Sequence, residues 1–410
     1  MQNRVLEYFS LITLIILNYD AIFSFSGTGL SIGRILLFAC LCAYFAKFTV
    51  ARKQIVSRVS NLTIIAIVWI IYQCLSFLWS PIESQNVRYI FNFIVNIFTA
   101  VLTILTINRF YNEKKILNLV LITTITFSLA EILFGWRPSA SRQWDFSNEI
   151  VGGYSNPLFM GYVMASLIIF VVVSISQKAT PLLYAALIVL YTITPFVGSR
   201  TLVLIAIASL IPLIAVSRGN IKKIIGNISL ALGILVPVYF AFTSYGLINL
   251  IPIQIIEKIS TIPQIITDAE SRGDTSRVQI FQSGVTLAND SIIYGFGLGS
   301  AEQVLSNDAY LVEIGGINPH NWWLEVVLNG GIISLSIFAI FLLNAFFTIK
   351  NRLEFESQAQ IIKFAYIYII IFPILVIGPS SISNFAFPWI MFGIIVSVVQ
   401  PKPALEMEKL

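Results

Sequence analysis

Apolar runs of about 20 residues follow one another from one end of this 410-residue chain to the other, and each can cross ~30 Å of hydrocarbon as a helix. That feature excludes a water-soluble fold. Only 11% of the residues are charged and 57% are hydrophobic, against roughly 25% charged in soluble domains. The spacing predicts an all-α polytopic integral membrane protein with spans at 6–25, 29–49, 62–80, 88–107, 115–135, 157–176, 181–198, 200–217, 224–246, 323–347, 361–378 and 382–399. About twelve helices use ~240 residues, which leaves loops and one modest extramembrane segment but no soluble catalytic domain.

An even number of crossings puts both termini on one side. The clusters Arg52/Lys53/Arg58, Arg109/Lys114/Lys115, Arg218/Lys222/Lys223 and Lys350/Arg352 fall in loops of one parity, so those loops and both ends are predicted to be cytoplasmic. The chain then divides into 1–246 with the first nine spans, an external segment 247–322, and 323–410 with the last three spans and a cytoplasmic tail. Met1 to Arg4 followed by Leu6 to Phe25 lacks a cleavage site, which predicts a retained first helix. Cys40, Cys42 and Cys74 lie inside predicted spans, which argues against a disulfide framework or a thiolate metal site. The net charge of +5 comes from short clusters that read as topology signals, and no nucleic-acid partner is implied.

The basic residues are also sorted by type. Arg34, Arg88, Arg137, Arg142, Arg200, Lys258, Arg272 and Arg277 lie on or towards the external side, seven Arg to one Lys, whereas 11 of the 17 on the cytoplasmic side are Lys. Orientation alone does not require Arg. A planar fork that grips phosphate oxygens in pairs does, and the plainer alternative is helix-end anchoring by snorkelling.

Within the external segment, Ile251, Ile255, Ile259, Ile262 and Ile266 recur at helical spacing, the pattern of an amphipathic helix in the membrane interface. Asp274 and Thr275 offer N-caps for a helix running to about Ala288, with Arg277 in its first turn. Gly295, Gly297 and Gly299 then predict a tight turn rather than a nucleotide loop, because no strand-turn-helix context surrounds them. Asp268, Glu270 and Asp274 could hold a cation, but a solvated acidic loop is the favoured reading.

His320 is the only histidine, in Asn318-Pro319-His320-Asn321-Trp322-Trp323 just before a span. Asn318 or Asn321 can cap that helix, and Trp322 and Trp323 read as an interfacial belt. Beside the positive end of a helix, an imidazole is held neutral near pH 7, the form a general base needs. The alternative is a histidine that only bonds backbone. Arg200 follows Gly198-Ser199 between two spans with almost no loop, so an anion or an acid such as Glu131 should accompany it. Arg277 adds a guanidinium to free helix N–H groups, one way to build an anion site. Asp20, Arg34 and Glu131 lie in or near spans, and structural pairing is expected for most of them.

These residues resemble the O-antigen ligase and polymerase superfamily of bacterial membrane glycosyltransferases, a GT-C-like class. The likeness lies in Gly198-Ser199-Arg200-Thr201, in Ser276-Arg277 through YGFGLGS, and in NPHNWWLEVVLNGGIISL, together with the large external (periplasmic) loop between spans nine and ten. It implies transfer of a glycan from a polyprenyl (undecaprenyl) pyrophosphate carrier to another carrier-linked glycan or to lipid A core, on the outer face of the cytoplasmic membrane. The resemblance implies His320 as the base or the acceptor-orienting residue, and Arg200 and Arg277 as pyrophosphate contacts. Asn321 and Ser199, inside those motifs, and Arg272 and Arg88, which match no motif of the family, are secondary substrate-binding candidates. No metal or other cofactor is implied; a chain-length regulator is an implied optional partner. The competing class is a lipid-linked oligosaccharide flippase, with a scaffold role third; the gathering of polar residues at one surface favours chemistry there.

Overall fold

The computed structural model describes residues 2–20, 22–23, 31–51, 60–81, 84–109, 113–134, 154, 157–178, 180–197, 274–308, 311–312, 318–319, 321–355, 360–377, 381 and 385–400. The described residues are overwhelmingly helical: α1 (Gln2–Asn18), α2 (Ile32–Ala51), α3 (Asn61–Ser76), α4 (Ser84–Arg109), α5 (Glu113–Phe134), α6 (Pro157–Gln177) and α7 (Pro181–Ile193), then α8 (Asp274–Ala288), α9 (Ala301–Ser306), α10 (Trp322–Phe355), α11 (Gln360–Leu375) and α12 (Ala386–Val399). Ten predicted spans coincide with α1–α7 and α10–α12. The predicted spans 200–217 and 224–246 and the amphipathic stretch 251–266 lie outside the described residues. Among the described residues five helical stretches are long and apolar enough to cross a membrane, and five further apolar helices are shorter. The chain is an integral membrane protein.

Local chemistry sets several boundaries. Ser60 and Thr180 cap α3 and α7 by accepting from Thr63 N and Leu183 N, and Pro181 opens α7 where its missing N–H costs nothing. The first helix ends at Asn18, short of the predicted residue 25, because the chain turns at Tyr19 and Asp20. There Asp20 Oδ2 accepts from Arg34 Nε at 3.1 Å, and the same guanidinium lies 5.5 Å from the centre of the Phe91 ring. This is the structural pairing expected of these two charges.

Between apolar helices in lipid, close packing and internal hydrogen bonds do the work that water does elsewhere. Gly393 of α12 leaves no room for a side chain against Ala100 and Thr103 of α4, and Gly33 of α2 fits against Leu17 of α1. Thr99, Thr103 and Thr106 return their hydroxyls to the carbonyls four residues back, so buried polar groups stay satisfied. The centre is aromatic: Trp69, Phe93, Trp322, Phe338, Phe372 and Trp389 meet from α3, α4, α10, α11 and α12.

The predicted span 323–347 needs correction. Gly331, with φ 65° and ψ −167°, breaks α10 into arms 322–330 and 332–355. The rings of Trp322 and Phe338 stand 4.7 Å apart, whereas sixteen residues of straight helix would separate them by ~24 Å. The two arms therefore fold back on each other. Only the second, about 36 Å long, has the reach of a span. Trp322 is accordingly buried, 2% exposed, and not part of an interfacial belt.

Candidate functional site

The break in α10 frees backbone groups that a membrane cannot hydrate. The glycine turn supplies their partners: Phe296 N and Gly297 N donate to the Leu328 and Asn329 carbonyls, while Ile332 N donates to the Ile292 carbonyl. The approach is so close that a Cβ on Gly295 would meet the Gly331 nitrogen at 2.5 Å, and Gly295, Gly297 and Gly299 all take positive φ. The predicted tight turn is present, and its role is to cover the apex of the helical hairpin.

At the other end of the short arm, Asn321 Oδ1 accepts from Trp323 N at 2.9 Å and Leu324 N at 3.2 Å, the predicted cap. Trp322 N donates to the Val376 carbonyl and Trp323 Nε1 to the Pro373 carbonyl, so the start of α10 closes the end of α11. Asn321, which caps this start, thus sits beside the end of α11, where irregular backbone finds protein partners.

Polar side chains from four parts of the chain converge on this arm. Glu325, one turn after the cap and 2% exposed, hydrogen-bonds Tyr89 of α4 and Ser381 from the stretch between α11 and α12, while its Oε2 has no partner. Tyr89 OH also accepts from Asn329 Nδ2 at 3.3 Å, and Asn329 Oδ1 accepts from Ala301 N at 3.1 Å. Glu302 of α9 accepts from Asn318 Nδ2 at 3.0 Å. Burial pushes the Glu302 carboxyl above the usual range of a carboxylic acid, and the Asn318 hydrogen bond and the nearby Arg88 charge pull it part of the way back. Beside this arm lies a small cavity of about 10 Å³, room for no more than a water, lined by Gln73, Tyr89, Asn329 and several aromatic rings.

The candidates named from sequence are therefore resolved unequally. Asn321 and Arg88 are described, the first as a helix cap and the second exposed beside Glu302. Arg277 lies in the first turn of α8, as predicted for the helix that ends at Ala288. His320, Arg200, Ser199 and Arg272 lie outside the described residues, as do Asp268 and Glu270. Glu302 and Glu325 are not among the candidates that the sequence motifs single out. A lone acid inside an apolar run was the available signal for Glu325.

Comparison with known sequences addresses the same stretch of chain. Residues 164–339 match the family model for O-antigen ligase. The match takes in Ser199, Arg200, Arg272, Arg277, His320 and Asn321, and the resemblance to the O-antigen ligase and polymerase superfamily stands on it. A curated relative, the teichuronic acid biosynthesis protein TuaE of Bacillus subtilis (strain 168), is 25% identical over 146 residues, 33% of this chain. That alignment spans 29% of the relative's length. The cluster around Asn321, Glu325 and Asn329 falls within the O-antigen ligase match, and Arg88 and Tyr89 of α4 fall before it.

Proposed function

We propose that this chain is a membrane glycosyltransferase that moves a glycan from a polyprenyl, typically undecaprenyl, pyrophosphate carrier to an acceptor hydroxyl in surface polysaccharide synthesis, polymerase being favoured over ligation to lipid A core. The observation that carries the reading is the O-antigen ligase match over 164–339, which contains both key arginines and the sole histidine. The teichuronic acid relative supports a cell-surface polymer as product. The parity of the basic clusters supports about twelve spans in the cytoplasmic membrane, both termini inside, a large loop between the ninth and tenth spans and chemistry on the external face.

In this reaction the acceptor oxygen attacks the anomeric carbon as the bond to the pyrophosphate oxygen breaks. Arg200 and Arg277 stabilise the charge on the departing pyrophosphate, and the neutral His320 imidazole takes the hydroxyl proton. The leaving group is already activated and two guanidiniums meet its charge, so the step is metal-independent and inverts the anomeric carbon in a single displacement. The test is reconstitution of the full chain in liposomes with a lipid-linked repeat unit. New glycosidic bonds, formed equally well in EDTA, are the expected outcome; translocation of the donor with no new bond would replace this reading with a flippase.

A further inference from the structure

A cleft of about 560 Å³ opens between the turn that follows α3 and the glycine turn, with α9 as its far wall. Trp79 and Phe296 give it aromatic faces, Gln303 and Asn307 give it amides, and Ser80 and Ser291 give it hydroxyls. Among the described residues, none that lines it is charged. Trp79 is 42% exposed, with its ring 6.4 Å from that of Tyr72. Ser80 and Ser291 spend their protons on the Leu298 and Gly295 carbonyls, which leaves their oxygens able to accept. The floor is fixed, because a Cβ on Gly297 would lie 2.5 Å from Ser80 Cα.

This lining discriminates among ligands. A phosphate or pyrophosphate asks for guanidinium or ammonium groups, and the described lining residues include none. An isoprenoid tail has no use for two amides and two hydroxyls. A pyranose ring matches both halves, since its C–H face packs on an aromatic ring while its rim hydroxyls pair with amides and hydroxyls. The cleft is also next door to the polar cluster: Gln303 lines it, while Glu302, one residue earlier on α9, accepts from Asn318.

We propose that this cleft is a glycan subsite, which holds an uncharged sugar unit of the polysaccharide at a distance from the reacting bond. The proposal rests on the glycosyltransferase reading for its biological sense, but its test does not need turnover. Purified full-length protein in detergent is titrated calorimetrically with the phosphate-free oligosaccharide released by mild acid from the host's lipid-linked repeat unit. Wild type should bind saturably, and Trp79→Ala should weaken binding about tenfold, a loss of one good stacking contact. Asn307→Ala, at an exposed position, should weaken it severalfold. In transfer assays both variants should raise KM for the glycan and leave kcat in place. Equal affinity in wild type and both variants, no saturable binding by wild type, or displacement of the sugar by undecaprenyl phosphate would each overturn the subsite. Binding without any transfer would remove the glycosyltransferase reading and keep the cleft; transfer with unchanged KM in both variants would do the opposite.

Discussion

Gly331 and Ile293 touch through their backbones: a Cβ on Gly331 would stand 2.2 Å from the Ile293 carbonyl oxygen, at a residue whose φ is already 65°. Both facts forbid a side chain. Gly331→Ala should therefore lose more than the ~1–2 kcal/mol that a left-handed conformation costs an ordinary residue. The measurement is the apparent unfolding temperature in detergent, with Ile340→Ala, 52% exposed on the outside of the bundle, as a control that should change little. If Gly331→Ala melts with wild type, the folded-back hairpin is wrong and α10 is a straight rod.

Asn321 closes the start of that hairpin by accepting from two backbone amides. Asn321→Ala should cost about 1 kcal/mol, the ordinary value of a lost helix cap, and Asn321→Asp should retain most of it. The same unfolding measurement decides between a capping role and one confined to substrate. If Ala and Asp variants are equally destabilised, the side chain is needed for something other than its oxygen.

How far these features can be read from sequence depends on their range along the chain. α8 runs from Asp274 to Ala288, and the Asn321 cap is present, because both are written in a few adjacent residues. The glycine turn is legible for the same reason. The reversal at Gly331 is legible only in part: Asn329-Gly330-Gly331 is a turn signal, but it sits inside a stretch whose overall hydropathy reads as one span, and hydropathy reports burial in lipid without reporting direction. That error carries Trp322 with it: a tryptophan before a span looks interfacial until the arm that bears it folds back to Phe338. The convergence of Glu302, Asn318 and Glu325 with Arg88 brings in a residue more than two hundred positions away, and no local pattern encodes it.

Glu302 offers a pH signature. Its carboxyl is raised above the ordinary 4.5 chiefly by burial, so the folded protein binds this proton more tightly than the unfolded chain does. The stability it contributes is then fully present below pH 4.5 and is lost as pH rises through the folded value. Glu302→Gln keeps an oxygen for the Asn318 amide without the charge. It should melt higher than wild type near neutrality, with the gain shrinking as the pH is lowered towards 4.5. A pH-independent difference would assign the effect to packing instead.

The chemistry proposed for His320, Arg200 and Arg277 separates into proton transfer and charge stabilisation, and the two respond differently to substitution. His320→Ala removes the base and should lower kcat by ~10²- to 10⁴-fold while membrane level and donor binding hold. Arg200→Lys and Arg277→Lys keep a positive charge but lose the planar fork, so a bidentate grip on pyrophosphate predicts a loss of tenfold or more in kcat/KM, deeper still in the double variant. Because the two guanidiniums share one leaving group, the double loss should fall short of the product of the single ones. Full activity with Lys at both positions would reduce the arginines to helix-end anchors, and undiminished transfer by His320→Ala would leave the acceptor proton to some other group.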